Sequence, residues 1–182
     1  MRDKADAWQM EITRLSWEFE KLLGNLGPEH INYRPDPGSW SIAENLAHLI
    51  RVNGSYYPIF DNILGQNFKP PLIRKIPFLV NAVGNLLHRS MGSKFKTKTF
   101  TVWEPSQKEY DLDLVAEFHK QQMELSAYIQ KLDPYFESGL VIHSPANRWV
   151  VYTLDKGIEI IIAHEQRHLE QSKNILEMQQ NA

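Results

Sequence analysis

Residues 153–180 read TLDKGIEIIIAHEQRHLEQSKNILEMQQ, and the period of this stretch decides the fold. Leu154, Ile158 and Ile161 recur at intervals of three and four. The series continues through positions 164/165, 168, 171/172 and 175 and closes on Met178. That spacing marks one face of an α-helix. No glycine or proline interrupts it after Gly157, so the helix is expected to run from about Thr153 almost to the C-terminus. Along the core face, isoleucines give way to His164 and His168. Four residues apart, the two stand about 40° apart around the axis and about 6 Å along it. Two imidazoles so placed can grip one ion at roughly 2.1 Å from each ring nitrogen. On an exposed face such a pair would merely be solvated. On the core face the rings need partners, because burying polar groups unpaired costs several kcal/mol, and the pair reads as half of a metal site.

Three further segments carry the same period. The first spans about 5–26, with Trp8, Ile12, Leu15, Phe19, Leu22 and Leu23 on one face, and ends at Gly24 and Gly27-Pro28. The second follows the turn Pro35-Asp36-Pro37-Gly38. Ser41 and Glu44 have the spacing of a capping box, and Ile42, Leu46, Leu49, Tyr56, Ile59 and Ile63 form its stripe. Pro58 lies inside that pattern and is expected to kink the helix or end it early. The third spans about 112–132 through Val115, Phe118, Leu125 and Ile129, and Asp133-Pro134 stops it. Four such helices with little strand signal predict an all-α protein, a four-helix bundle forming one domain over 1–182. The connection between the second and third helices, about forty residues, is too long for a plain loop. It predicts a short helix over 77–91 and then an extended piece over 94–103, where Lys alternates with Phe or Thr.

Composition bounds the function. The 182 residues are 42% hydrophobic and 23% charged, with a mean hydropathy of -0.43, values of a globular chain with a full core. A net charge of -2 and a pI near 6.4 argue against a nucleic-acid partner. The absence of cysteine excludes disulfides, thiolate ligands and a Cys nucleophile. The N-terminal MRDKADAWQM has no apolar core of a signal peptide. The longest apolar stretch, over 76–87, is broken by Asn81, Gly84 and Asn85 and falls short of the roughly 20 residues of a membrane span. The expectation is a cytoplasmic protein with no membrane partner.

A third ligand should come from a neighbouring helix. His48, bordering the stripe of the second helix, is the better candidate and His119, on the flank of the third, is the alternative. His30, His88 and His143 fall in loops or caps and are expected to be solvated. The run His164-Glu165-Gln166-Arg167-His168 also spells H-E-x-x-H, in which a zincin uses the glutamate as general base. Fourteen residues follow His168 and none is a histidine. Glu177 lies nine residues on, about 13 Å along the axis, and cannot reach the same ion. The protease reading fails on that count.

The stretch Trp40-Ser-Ile-Ala-Glu-Asn-Leu-Ala-His48-Leu and the stretch His164-Glu-Gln-Arg-His168-Leu-Glu-Gln171 together resemble the DinB-like superfamily, which includes the YfiT-like metal-dependent hydrolases. The resemblance implies a four-helix bundle, often a homodimer. It implies a divalent ion, zinc or nickel, on His48, His164 and His168. It further implies an activity class in which some relatives transfer low-molecular-weight thiols such as bacillithiol or mycothiol, and one branch isomerises maleylpyruvate with a thiol.

Three neutral imidazoles leave an ion at least one open position, the mark of a catalytic site. Such an ion lowers the pKa of bound water or activates a thiol. Glu165 is the candidate catalytic base, against the plainer reading of a solvated helix residue. Glu44 is expected to serve its cap. Gln171, one turn past His168, is placed to hydrogen-bond a ligand or a dimer partner. No acidic residue occurs between Asp61 and Glu104, whereas Lys69, Arg74, Lys75, Arg89, Lys94, Lys96 and Lys98 do. That segment reads either as a solvated basic connection or as a lid attracting a small anionic substrate, and the apolar face of 77–87 can equally pack on a partner subunit. The function expected is a metal-dependent thiol transferase or hydrolase; the alternative is a non-catalytic protein that binds a metal or small ligand.

Overall fold

In the computed structural model, which describes residues 2–91, 99–106 and 108–180, each stretch of helical period becomes a helix. Helix α1 is Arg2–Leu23, followed by the single turn α2, Pro28–Ile31; α3 is Ile42–Leu64 and α4 Pro77–Met91. Helix α5 is Asp113–Leu132 and α6 Leu154–Gln180. Both arms of the capping box at the start of α3 are made. Ser41 Oγ accepts from the Glu44 amide at 3.1 Å, and the Ser41 amide donates to Glu44 Oε2 at 2.9 Å.

Helices α1 and α3 each pack on both α5 and α6, so they occupy opposite corners of a four-helix bundle. The centre is filled by Ile12, Leu15, Phe19, Leu46, Leu49, Phe60, Phe118, Leu125 and Ile158, all buried. Phe19 and Phe118 meet edge to face at 4.9 Å, an arrangement that adds to the burial of their area. Helix α4 stands outside this ring and packs on α6.

Of the two outcomes expected at Pro58, α3 does not end early, because Ile59, Phe60 and Ile63 beyond it are buried and tertiary packing holds the last turn. Two differences from the expectation have local causes. An antiparallel hairpin, β1 (Val141–His143) with β2 (Val151–Thr153), precedes α6; strands of three residues are too short for their alternation to register as a period. Of the expected extended piece, residues 94–98 lie outside those described, and Thr101–Trp103 forms a 3-10 turn.

Leu125, buried between helices, tests this packing. Leu125→Ala is expected to lower the unfolding free energy by about 2–5 kcal/mol in a denaturant titration; a loss of less than about 1 kcal/mol would place Leu125 outside the core.

Candidate metal centre

His48 lies on α3 within the stretch opened by the capping box, while His164 and His168 lie on the adjacent corner helix α6. The packing of α3 on α6 brings the three together. His164 Nε2 is 3.2 Å from His48 Nε2 and 3.0 Å from His168 Nε2, and one ring nitrogen from each residue falls within 4.8 Å of the others. Nitrogens held about 2.1 Å from one ion at angles between a right angle and a tetrahedral one would be roughly 3.0–3.4 Å apart.

The far sides of the rings fix what the near sides offer. His48 Nδ1 lies 2.8 Å from the backbone carbonyl oxygen of Trp103, which can only accept, so Nδ1 donates and Nε2 carries a lone pair. His168 Nδ1 lies 2.7 Å from Asn45 Oδ1, and the Asn45 amide group donates to the Ser41 carbonyl at 3.0 Å. That second bond sets the amide's orientation, so His168 Nδ1 also donates. Two lone pairs therefore face the third ring, and one proton on His164 Nε2 could satisfy only one of them well. A cation satisfies all three. His164 Nδ1 is buried without a partner.

Burial holds all three rings neutral. It pushes His164 down to about 3 and His168 well below the usual imidazole value, the neighbouring rings and Arg167 adding to the effect. His48 is lowered by burial too, partly offset by its bond to Trp103. Neutral imidazole is the form that ligates.

The triad forms one wall of a cleft of about 750 Å3. Trp40 stands 4.9 Å from the His48 ring. Arg167, Gln171 and Asn174 from α6 contribute polar groups, and Ile175 and Met178 an apolar end. Arg167 Nη1 donates to the carbonyls of Ser90 and Met91 at 3.2 and 3.4 Å, joining α6 to the last turn of α4. Glu44 also lines the cleft, but it serves its cap and pairs with Arg34, which donates to both its oxygens at 2.6 and 2.9 Å.

The remaining candidates lie elsewhere. His119 is exposed on α5, its Nδ1 2.9 Å from Ser16 Oγ of α1. His30 is half exposed on α2; His88 in the last turn of α4 and His143 in β1 are partly buried rather than solvated. Glu165 does not line the cleft and is not solvated. It is fully buried, and Asn53 Nδ2 and Gln122 Nε2 both donate to its Oε1, at 2.7 and 2.9 Å. Neither Asn53 nor Gln122 stood out in the sequence; both sit at core positions of α3 and α5, where a polar residue calls for a partner.

The family's sequence model matches residues 11–172, most of the chain. The protein belongs to the DinB superfamily. Its fold is similar to that of YfiT from Bacillus subtilis, with a TM-score of 0.61 at 12% identity, covering 96% of this chain and 87% of that one. YfiT is described as a probable metal-dependent hydrolase with an unusual four-helix bundle topology. No curated protein matches the sequence.

Burial raises Glu165 to about 7, against a countervailing pull from its two amide donors. Its Oε2 and the side-chain oxygens of Asn53 and Gln122 lack donors, and a proton on the carboxyl supplies one. Between about pH 4.5 and 7 the folded state then holds a proton that the unfolded chain has lost. This group's contribution is present in full below that window and lost as pH rises through it. Unfolding of the chelator-treated protein followed from about pH 5 to 8 should show Glu165→Gln gaining on the unmodified protein as pH rises. Parallel profiles would contradict a buried neutral carboxyl.

Proposed function

We propose that this DinB-superfamily protein is a divalent-metal-dependent enzyme, with His48, His164 and His168 as ligands, that acts on a small anionic molecule and most readily on a thiol. The observation that carries the reading is the convergence of three Nε2 atoms, two of them fixed as lone-pair donors by the Trp103 carbonyl and Asn45. Zinc and nickel both suit three imidazoles.

When bound, a divalent ion supplies a Lewis acid that favours loss of a proton from water or a thiol. The chain's own groups do the rest. The triad lines the cleft and leaves one side open to it, and Trp40 covers part of the approach. Three neutral rings bring no charge to balance a divalent ion, and of the described carboxylates that line the cleft Glu44 is already paired with Arg34 while Asp36 and Glu104 are exposed. An anionic ligand supplies the balancing charge. Gln171 and Asn174 line the same wall as Arg167 and can hydrogen-bond such a ligand.

The choice of thiol over water rests on the groups available to take a proton. Glu165, the one glutamate beside the ligands in sequence, faces the bundle interior with Asn53 and Gln122. The other carboxylates that line the cleft, Asp36 and Glu104, are exposed residues. A thiol, with a pKa of about 8.5, needs far less help than water at about 15.7. The thiol-transfer reading therefore asks least of this site.

Metal analysis of tag-free protein should find about one divalent ion per chain, lost in His48→Ala and His164→Ala. Asn45→Ala, which removes the acceptor behind His168, should weaken metal affinity about 10–100-fold. Thiol-conjugation and ester or amide hydrolysis panels then test catalysis. Turnover by metal-loaded protein that vanishes in His164→Ala supports an enzyme. Stoichiometric metal without turnover on any panel would leave a binding protein and sink the catalytic reading.

A further inference from the structure

The outer face of α4 has no use in the metal centre or the bundle. Its inner side packs: Val80 is buried with Val141 and Val151 of the hairpin, with Ile73 against them, and Gly84 lies against Tyr152 and Lys156. The opposite side carries Phe78, Ala82 and Leu86, spaced by four and exposed, Phe78 to 83% and Leu86 to 71%. The turn leading into the helix adds Leu72, 85% exposed, and Ile76. Trp149, 84% exposed, lies in the turn of the hairpin that packs on α4. A helix apolar on both sides belongs in an interior or at an interface.

The charges around this face choose its partner. Lys69, Arg74, Arg89 and Arg148 are exposed on α4, on the segment before it and on the hairpin turn. The sequence places no acidic residue between Asp61 and Glu104. A symmetric contact with a second copy would set this cationic segment against itself with no carboxylate of its own to relieve it. An anionic surface meets both needs at once, accepting apolar side chains below a plane of negative charge.

We propose that the outward face of α4 docks on an anionic lipid bilayer, with Phe78, Leu86 and Leu72 entering the interface and Arg74 and Arg89 meeting the headgroups. No described helix is long and apolar enough to cross a membrane; the contact is peripheral, and it departs from the expectation of no membrane partner, which was drawn from the want of a spanning segment. Tryptophan is a residue of such interfaces, and Trp149 lies in the adjoining turn.

Sedimentation of the full chain with vesicles tests this. Vesicles of phosphatidylglycerol and phosphatidylcholine in equal parts should carry the protein down, and phosphatidylcholine alone should not. The double variant Phe78→Ser/Leu86→Ser, both positions exposed and so neutral to folding, should partition at least about tenfold more weakly, with an unchanged circular dichroism spectrum. Arg74→Glu/Arg89→Glu should do the same, and added salt should weaken the unmodified protein's binding more than that of the Arg74→Glu/Arg89→Glu variant. The proposal is overturned if the anionic vesicles leave the protein in solution or bind every variant equally. It is also overturned if light scattering shows a dimer that the Phe78→Ser/Leu86→Ser variant converts to monomer, which would make the face a subunit interface.

Discussion

Two hydrogen bonds made on the far side of two imidazoles govern the site. Once the Trp103 carbonyl and Asn45 Oδ1 have taken the Nδ1 protons of His48 and His168, both Nε2 atoms can only accept. The bundle then presses these two acceptors to about hydrogen-bond distance from His164 Nε2. In a buried place such a cluster is unfavourable unless something positive stands among the lone pairs. Burial lowers the affinity of all three rings for protons. A metal ion is the positive species that neutral imidazoles accept best.

The helical period and the corner arrangement make this convergence possible. Residues 164 and 168 share a face of α6 because four residues exceed one turn only slightly. The same period that points His164 and His168 at α3 turns Glu165 about 100° away. There it meets Asn53 of α3 and Gln122 of α5 inside the bundle. Thus the histidines and the glutamate of one H-E-x-x-H run serve two surfaces of one helix. The chain order of the motif resembles a zincin's, yet the glutamate sits where a zincin's base could not work.

Much of this was legible in the residues. The four long helices followed from apolar spacing, and their ends from Gly24, the Ser41–Glu44 box and Asp133-Pro134. His48 carried a signal in its place beside the stripe of α3. What decides against His119 is tertiary: α5 turns that residue to Ser16 of α1, and no local pattern states which corner a helix occupies. Asn45 could have been found, lying three residues before His48 on a helix side that sequence spacing brings together. The Trp103 carbonyl could not, because every residue has a backbone oxygen and only the path of the chain selects one. That Glu165 is buried rather than solvated was not legible, because its partners, Asn53 and Gln122, are distant in sequence.

The division of labour between bundle and connection follows from the same geometry. The four long helices supply the three histidines, Asn45 and the core, all fixed by packing that tolerates little change. The connection between α3 and α5 supplies further supports for the site. Its 3-10 turn lends the Trp103 carbonyl to His48, and Arg51 anchors that turn through the Glu104 carbonyl and Ser106 Oγ. Its helix α4 ends on the carbonyls that Arg167 clasps beside His168. Because α4 lies outside the four-helix ring, its outer face can change without disturbing the core. Its inner face and last turn cannot, since they bear on Tyr152 and on Arg167, the neighbour of His168. A centre built this way draws its three histidines and Asn45 from the bundle, and from the connection the carbonyls that hold His48 and Arg167 in place.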